Sequence, residues 1–253
     1  MLRTRVIPTL LLRNESLVKT VRFGDFSYIG DPCNTVRIFN ELEVDELLFL
    51  DITATRERRM PNLGILRDIA NECFMPLGYG GGIRSLEAAK AVFDIGFEKI
   101  VVNTVTLDRP ELVRELSSHY GNQAIIASID VRNDWRGRGR VYQHSRGKVL
   151  PRDPVEWART MQEMGAGEIL LTSVEREGTW SGFDLELIRR VTAAVSIPVI
   201  AHGGAGCVAD IGRAVREGNA AAVAVSSMVV FQKKGMGVLV NFPERKQLEY
   251  LLA

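Results

Sequence analysis

The chain is poor in several residue types. Three cysteines, three histidines and three tryptophans are spread over 253 residues, and the formal net charge is only +1. Cys33, Cys73 and Cys207 are odd in number and scattered, which points away from a disulfide framework or a metal site and toward reduced thiols in a cytoplasmic protein. His119 and His144 have no evident metal partner, so neither a metal nor a cofactor is expected. The balanced charge removes any global electrostatic case for nucleic acid or a membrane surface. No apolar run reaches membrane-spanning length. The opening Met1-Leu2-Arg3-Thr4-Arg5 leads into a strand-like segment without a cleavage-type signal.

Glycine, by contrast, is concentrated at two places half a chain apart. Pro76-Leu77-Gly78-Tyr79-Gly80-Gly81-Gly82 and Pro198-Val199-Ile200-Ala201-His202-Gly203-Gly204-Ala205-Gly206 each precede a helical stretch. One unit later comes a second apolar strand with a small polar end, Val101-Val102-Asn103-Thr104 and Ala224-Val225-Ser226-Ser227. Glycines let a backbone approach a ligand closely, and a helix start offers free N–H groups to an anion. Two such sites suggest a ligand with two phosphates or two anionic ends. The bland alternative is tight turning alone.

Short apolar runs near 5–12, 46–51, 76–79, 99–103, 123–130, 168–173, 197–202 and 221–226 alternate with helical patterns near 32–43, 60–74, 85–96, 109–120, 153–165, 184–195, 207–217 and 243–252. Eight β-then-α units predict an α/β fold, a (β/α)8 TIM barrel, as a single domain over 1–253. An open doubly wound sheet explains the alternation but not the count. Offsets of 122 or 123 residues relate Glu46 to Glu168, Gly80 to Gly203 and Asn103 to Ser226, which predicts an internal half-barrel repeat. Two segments break the pattern. Residues 13–31, carrying Lys19 and Arg22, form a long connection of the kind that makes lids. Residues 131–150 are basic and glycine-rich, and read as a hairpin with an exposed turn or as a clamp on an acidic ligand or partner.

Ligands of such barrels sit where strands end. The residues there are Leu11, Asp51, Gly81, Gly82, Asn103, Thr104, Asp130, Thr172, Ser173, His202, Gly203, Gly204, Ser226 and Ser227. A carboxylate ending a buried strand is partly desolvated, which suits Asp130 to acid–base work. Asp51 reads equally well as a residue that orders a loop. His202 reads first as a packing or hydrogen-bonding residue. At the opposite end, Arg5, Glu46, Lys99 and Glu168 each lead a strand, with balanced signs. An ion-paired ring and an ordinary surface network are both open from the sequence.

Phe49-Leu50-Asp51-Ile52-Thr53-Ala54, Gly80-Gly81-Gly82-Ile83, Asn103-Thr104, Gly165-Ala166-Gly167-Glu168-Ile169-Leu170-Leu171-Thr172-Ser173 and Gly203-Gly204-Ala205-Gly206 together resemble the cyclase subunit of imidazole glycerol phosphate synthase, over nearly the whole chain. The resemblance implies a phosphate-containing small-molecule ligand, a glutaminase subunit docked at the N-terminal face of the barrel, and ammonia passing up the interior. It implies an ammonia gate at Arg5, Glu46, Lys99 and Glu168, a functional lysine at Lys19, and a loop Glu175-Arg176-Glu177-Gly178-Thr179 whose Glu177 faces the site and whose Gly178 meets phosphate. The family uses two catalytic aspartates. Asp130 matches one, and Leu11 stands where the other belongs. The loop around Glu177 and the stretch Lys233 to Pro243 also depart from the family pattern. These departures resemble a branch in which the barrel supplies ammonia to a separate ATP-using sugar amidotransferase, in lipopolysaccharide O-antigen synthesis. A working cyclase of histidine biosynthesis, a lyase, is the alternative, and an anion-binding scaffold is a third reading.

Overall fold

The computed structural model describes residues 4–252. Eight parallel strands close on themselves: β1 (Arg5–Arg13), β2 (Leu47–Asp51), β3 (Leu77–Gly80), β4 (Lys99–Val102), β5 (Ile125–Asn133), β6 (Glu168–Ser173), β7 (Val199–His202) and β8 (Ala222–Val225). Each pairs with the next, and β8 pairs with β1, Arg5 lying opposite Ala222. Helices connect the strands, so the architecture is the expected (β/α)8 barrel.

The half-barrel repeat extends to the helix caps. Asp31 and Asp153 each cap a helix that begins with proline, Pro32–Glu41 and Pro154–Glu163, and each accepts a first-turn N–H at 2.8 Å. Asn62 and Asp184 cap the next equivalent pair, and Ser85 and Cys207 the third, with identical cap torsions of φ −154° and ψ 168°. A side-chain oxygen at such a position satisfies an otherwise unpaired N–H and contributes about 1 kcal/mol. The sequence therefore punctuates both halves in the same way.

Period-two alternation divides each strand between two apolar layers. Val6, Leu10, Phe49, Tyr79, Ile100 and Val102 face outward onto helix residues such as Val36, Phe39, Leu66 and Ile69. Ile7, Leu48, Val101, Ile126, Leu170, Ile200, Ala222 and Ala224 fill the barrel interior. A fully buried Leu or Ile contributes roughly 1.5–3 kcal/mol, so both layers are needed to offset chain entropy.

The two segments that break the pattern are antiparallel hairpins. β1 continues into Ser16–Thr20 and Phe26–Gly30, with Leu11 opposite Val18. β5 continues into Gly139–Gln143, with Val131 opposite Val141. They occupy the same place in each half, a correspondence that the sequence offsets do not display. The basic run is held as a tied turn. Asp134 accepts from the backbone N–H groups of Arg136 and Arg138 at 2.8 and 3.0 Å. Two short helices went unread in the sequence, Thr104–Asp108 and Ser227–Val230. No helix among the described residues is long and apolar enough to cross a membrane.

Candidate functional site

At the face where the strands begin, four side chains form a ring of alternating charge. Arg5 donates to Glu46 at 2.5 Å and to Glu168 at 2.9 Å. Lys99 donates to Glu46 at 3.1 Å and to Glu168 at 3.0 Å. Glu46 is nearly sealed, while the Arg5 side chain keeps 26% of its exposure toward the outside. Of the two readings open from the sequence, the structure gives the ring. Directly above it lies the apolar interior of Ile7, Leu48, Val101, Ile126 and Leu170. Its inward positions continue through Thr9 and Ser128, both buried, to Leu11 and Asp130 at the opposite face.

Asp130 is buried within β5, near where the strand leaves the barrel. Asn103 donates to its Oδ2 at 2.8 Å. Burial pushes the Asp130 carboxyl up to about 7; hydrogen bonds from Asn103 and Thr172 oppose that rise, and the charge of Glu177 adds to it. The group thus exchanges its proton near neutrality. Thr172 lies opposite Asp130 in the β5–β6 register and its hydroxyl contacts His202 Nδ1 at 3.1 Å. Burial, with Lys19 as a second cause, holds His202 down at about 3, so its imidazole is neutral. Leu11 is buried on β1, opposite Leu50, with no atom able to exchange a proton.

Asp51 is engaged locally. Its Oδ1 accepts from the N–H groups of Thr53 and Ala54 at 3.0 Å each, and Arg59 pairs with Oδ2 at 2.8 Å. This carboxylate orders the turn after β2. Gly81 has φ +127°, and a Cβ there would come within 2.6 Å of the Asp51 carbonyl oxygen, so only glycine fits. Gly203 repeats the arrangement with φ +92° and a Cβ position 2.6 Å from the Ser173 carbonyl oxygen. Gly82 and Gly204 follow them, both with positive φ.

The structure brings Lys19, Glu177, Gly178, His202, Gly203, Gly204, Ser226 and Ser227 around one small cavity. Asn103 and Thr104 follow β4 beside β3, whose Gly80 lies opposite Val101. The short helices Thr104–Asp108 and Ser227–Val230 start at these two places, and neither Asn103 nor Ser226 bonds the first turn with its side chain. Their leading N–H groups therefore have no side-chain cap. Arg59 on Asp51 and the pairing of Lys19 with Glu177 were not read from the sequence; the second joins residues 158 positions apart, and neither has a local signal. Among the described residues no group of His, Cys, Asp and Glu is arranged to hold a metal.

Residues 5–234 match the family model described as "Histidine biosynthesis protein". A Pseudomonas aeruginosa protein provisionally named imidazole glycerol phosphate synthase subunit hisF2 is 43% identical over 249 residues, covering 98% of this chain and 99% of its own. A Leptospira interrogans protein, provisionally named subunit HisF of the same synthase, is 39% identical over 252 residues, covering 99% of both chains. The imidazole glycerol phosphate synthase subunit HisF of Alkaliphilus metalliredigens is 38% identical over 247 residues, covering 98% of this chain and 96% of its own. The chain belongs to the histidine biosynthesis protein family, as a HisF-like member of the cyclase-subunit group of imidazole glycerol phosphate synthase.

Proposed function

We propose that this barrel receives ammonia from a glutaminase subunit and carries it to a phosphate-bearing acceptor. The glutaminase docks where the strands begin and releases ammonia beneath the Arg5–Glu46–Lys99–Glu168 ring. The observation that carries the reading is that ring, four charges of alternating sign closing one end of an apolar interior. Neutral ammonia can cross the layer of Ile7, Leu48, Ile126 and Leu170. Ammonium would incur a desolvation penalty of several kcal/mol there. The ring and the layer above it therefore favour the neutral nucleophile.

At the opposite face, Gly81, Gly82, Asn103 and Thr104 bind one anionic end of the acceptor. Gly178, Gly203, Gly204, Ser226 and Ser227 bind the other, with Lys19 beside them. The uncapped helix starts and the cavity support this assignment. Asp130 holds or moves a proton, positioned by Asn103. Thr172, Ser173 and His202 shape the floor, and Asp51 orders the rim.

Cyclisation to imidazole glycerol phosphate is the reaction that the relatives' names back. A second reading rests on Leu11, together with the departures around Glu177 and over Lys233 to Pro243. Cyclisation with lyase chemistry calls on paired proton-exchanging groups, and this site has a hydrocarbon where the second is expected. In that reading the ammonia goes on to a separate ATP-using sugar amidotransferase of O-antigen synthesis, for which none of the three relatives is named. The purified chain, given ammonium salt and the bisphosphorylated histidine precursor, distinguishes them. Turnover at an ordinary enzymatic rate supports the cyclase. No turnover, with the cognate glutaminase still activated on binding, supports the ammonia donor. Equal loss of ammonia transfer and glutamine hydrolysis in Lys99→Ala, or loss of neither, overturns the gate.

A further inference from the structure

Two turns on the face where the strands end carry charge that the barrel leaves unmatched. The hairpin after β5, residues 131–150, has six Lys and Arg side chains against one carboxylate, Asp134. The connection after β8, residues 231–243, has two lysines and no carboxylate. The whole chain carries only +1, so this surplus is local. Asp134 is shared by Arg138 and Arg140, and Arg132 and Arg146 reach Glu175 and Asp108 on neighbouring elements. Arg136, Lys148, Lys233 and Lys234 pair with no carboxylate among the described residues.

Each turn also holds a large apolar side chain out in solvent. Trp135 is 83% exposed, with the Arg136 guanidinium 4.3 Å from its ring centroid. Met236 is 51% exposed in the second turn. Both turns are tied by hydrogen bonds. The Gly137 N–H donates to the Asp134 carbonyl at 2.9 Å, beneath the two N–H groups that the Asp134 side chain accepts. The Met236 N–H donates to the Lys233 carbonyl and the Gln232 N–H to the Gly237 carbonyl, each at 3.1 Å. A side chain presented on a fixed turn loses little entropy on binding. The strand order sets the turns apart: β6 and β7 separate β5 from β8 on one side, and β1 to β4 on the other. The turns therefore flank the barrel mouth, and a body that touches both covers it.

We propose that the two turns are the docking points of a further protein with an acidic surface, seated over the mouth opposite the charged ring. Complementary charge steers such a partner, and Trp135 and Met236 anchor it, an exposed tryptophan beside arginine being the composition that dominates protein interfaces. A nucleic acid calls for a continuous basic footprint, which two separated turns on a chain of net charge +1 do not offer. The docking rests on charge, exposure and strand order. That the partner takes up ammonia rests on the ammonia-carrying reading above.

The test uses the full chain and three probes: a short synthetic peptide of Glu and Leu, its counterpart with Gln for Glu, and an oligothymidylate of the same length. The readouts are calorimetric titration and hydrogen exchange at the amides of both turns. The Glu peptide is expected to bind about tenfold tighter than the Gln peptide and to slow exchange in both turns. Trp135→Ser and Lys233→Glu should each weaken it by about fivefold or more. No binding of the Glu peptide, or binding that slows exchange in neither turn, overturns the docking. Slowing in one turn only overturns the bridging of the mouth. Equal binding of the two peptides overturns recognition by charge, and tighter binding of the oligothymidylate overturns the assignment to a protein. Slow exchange in both turns that grows with chain concentration, without peptide, gives the face to a second copy and overturns the acidic partner. In complex with the glutaminase, Trp135→Ser should leave glutamine hydrolysis unchanged, and its loss overturns a role confined to docking. Peptide protection of both turns in a chain that transfers no ammonia overturns the ammonia reading and supports the docking.

Discussion

Asn103 donates to Asp130 at 2.8 Å across the boundary between the two half-barrels, from just after β4 to the neighbouring β5. A residue of the first half thereby positions a buried carboxylate of the second. The bond favours the ionised form, while burial favours the neutral one and wins, leaving Asp130 near 7.

Asp130 therefore gives stability a definite pH dependence. Its folded value, about 7, lies above its ordinary value of 3.8. Between those values the folded state keeps a proton that the unfolded state loses, so this group's contribution falls as pH rises from 4 to 7 and stays low above. Asp130→Asn should be close to neutral for stability at pH 4 and stabilising at pH 8, by on the order of a few kcal/mol. Urea unfolding at the two pH values checks this, and equal effects at both would contradict it.

Breaking the ring should cost stability as well as ammonia transfer. Lys99→Met leaves Glu46 and Glu168 sharing Arg5 alone, with Glu46 almost sealed from water. A loss of about 2–3 kcal/mol in denaturant unfolding is expected, below the range for fully buried pairs because Arg5 and Lys99 are partly solvated. The double variant Lys99→Met with Glu46→Gln should recover part of the loss.

Leu11 offers a direct test of the cyclase reading. Leu11→Asp puts a carboxyl at a buried β1 position whose inward parity matches that of Asp130. If only this group is lacking, ammonia-dependent turnover of the bisphosphorylated histidine precursor should rise by about 10²-fold or more. The variant should also melt lower at pH 8 than at pH 5, because an ionised carboxylate is costly there. No rise in turnover means that the surrounding site has changed as well.

Gly203 should tolerate no side chain. Gly203→Ala meets both a φ of +92° and the Ser173 carbonyl oxygen at 2.6 Å, so backbone must shift. Phosphate affinity should fall more than tenfold and stability by about 1–3 kcal/mol. Gly96→Ala, with φ +115° but open space around its Cβ position, separates torsional strain from the collision.

The eight units, the half-barrel offset, the glycine clusters and the charged strand starts are all legible in the chain, because each rests on spacing within one or two elements. Alternation along β1, β2, β4 and β6 is enough to place Arg5, Glu46, Lys99 and Glu168 at one end. The hairpin after β5 is legible too, from glycine and charge in a short loop. The hairpin after β1 reads only as a long connection, since its strands lack a strong turn signal. The helices Thr104–Asp108 and Ser227–Val230 are too short to show a period.

The amino-acid order by itself determined the barrel, its duplication and a hydrocarbon side chain at position 11, since periodicity and residue chemistry act locally. Only closure of the barrel decided that four distant charges meet as a ring, that Asn103 serves Asp130, and that Lys19 is taken by Glu177. Those contacts join strands and loops up to 163 positions apart. Their energies depend on burial and distance, which exist only once the chain has folded.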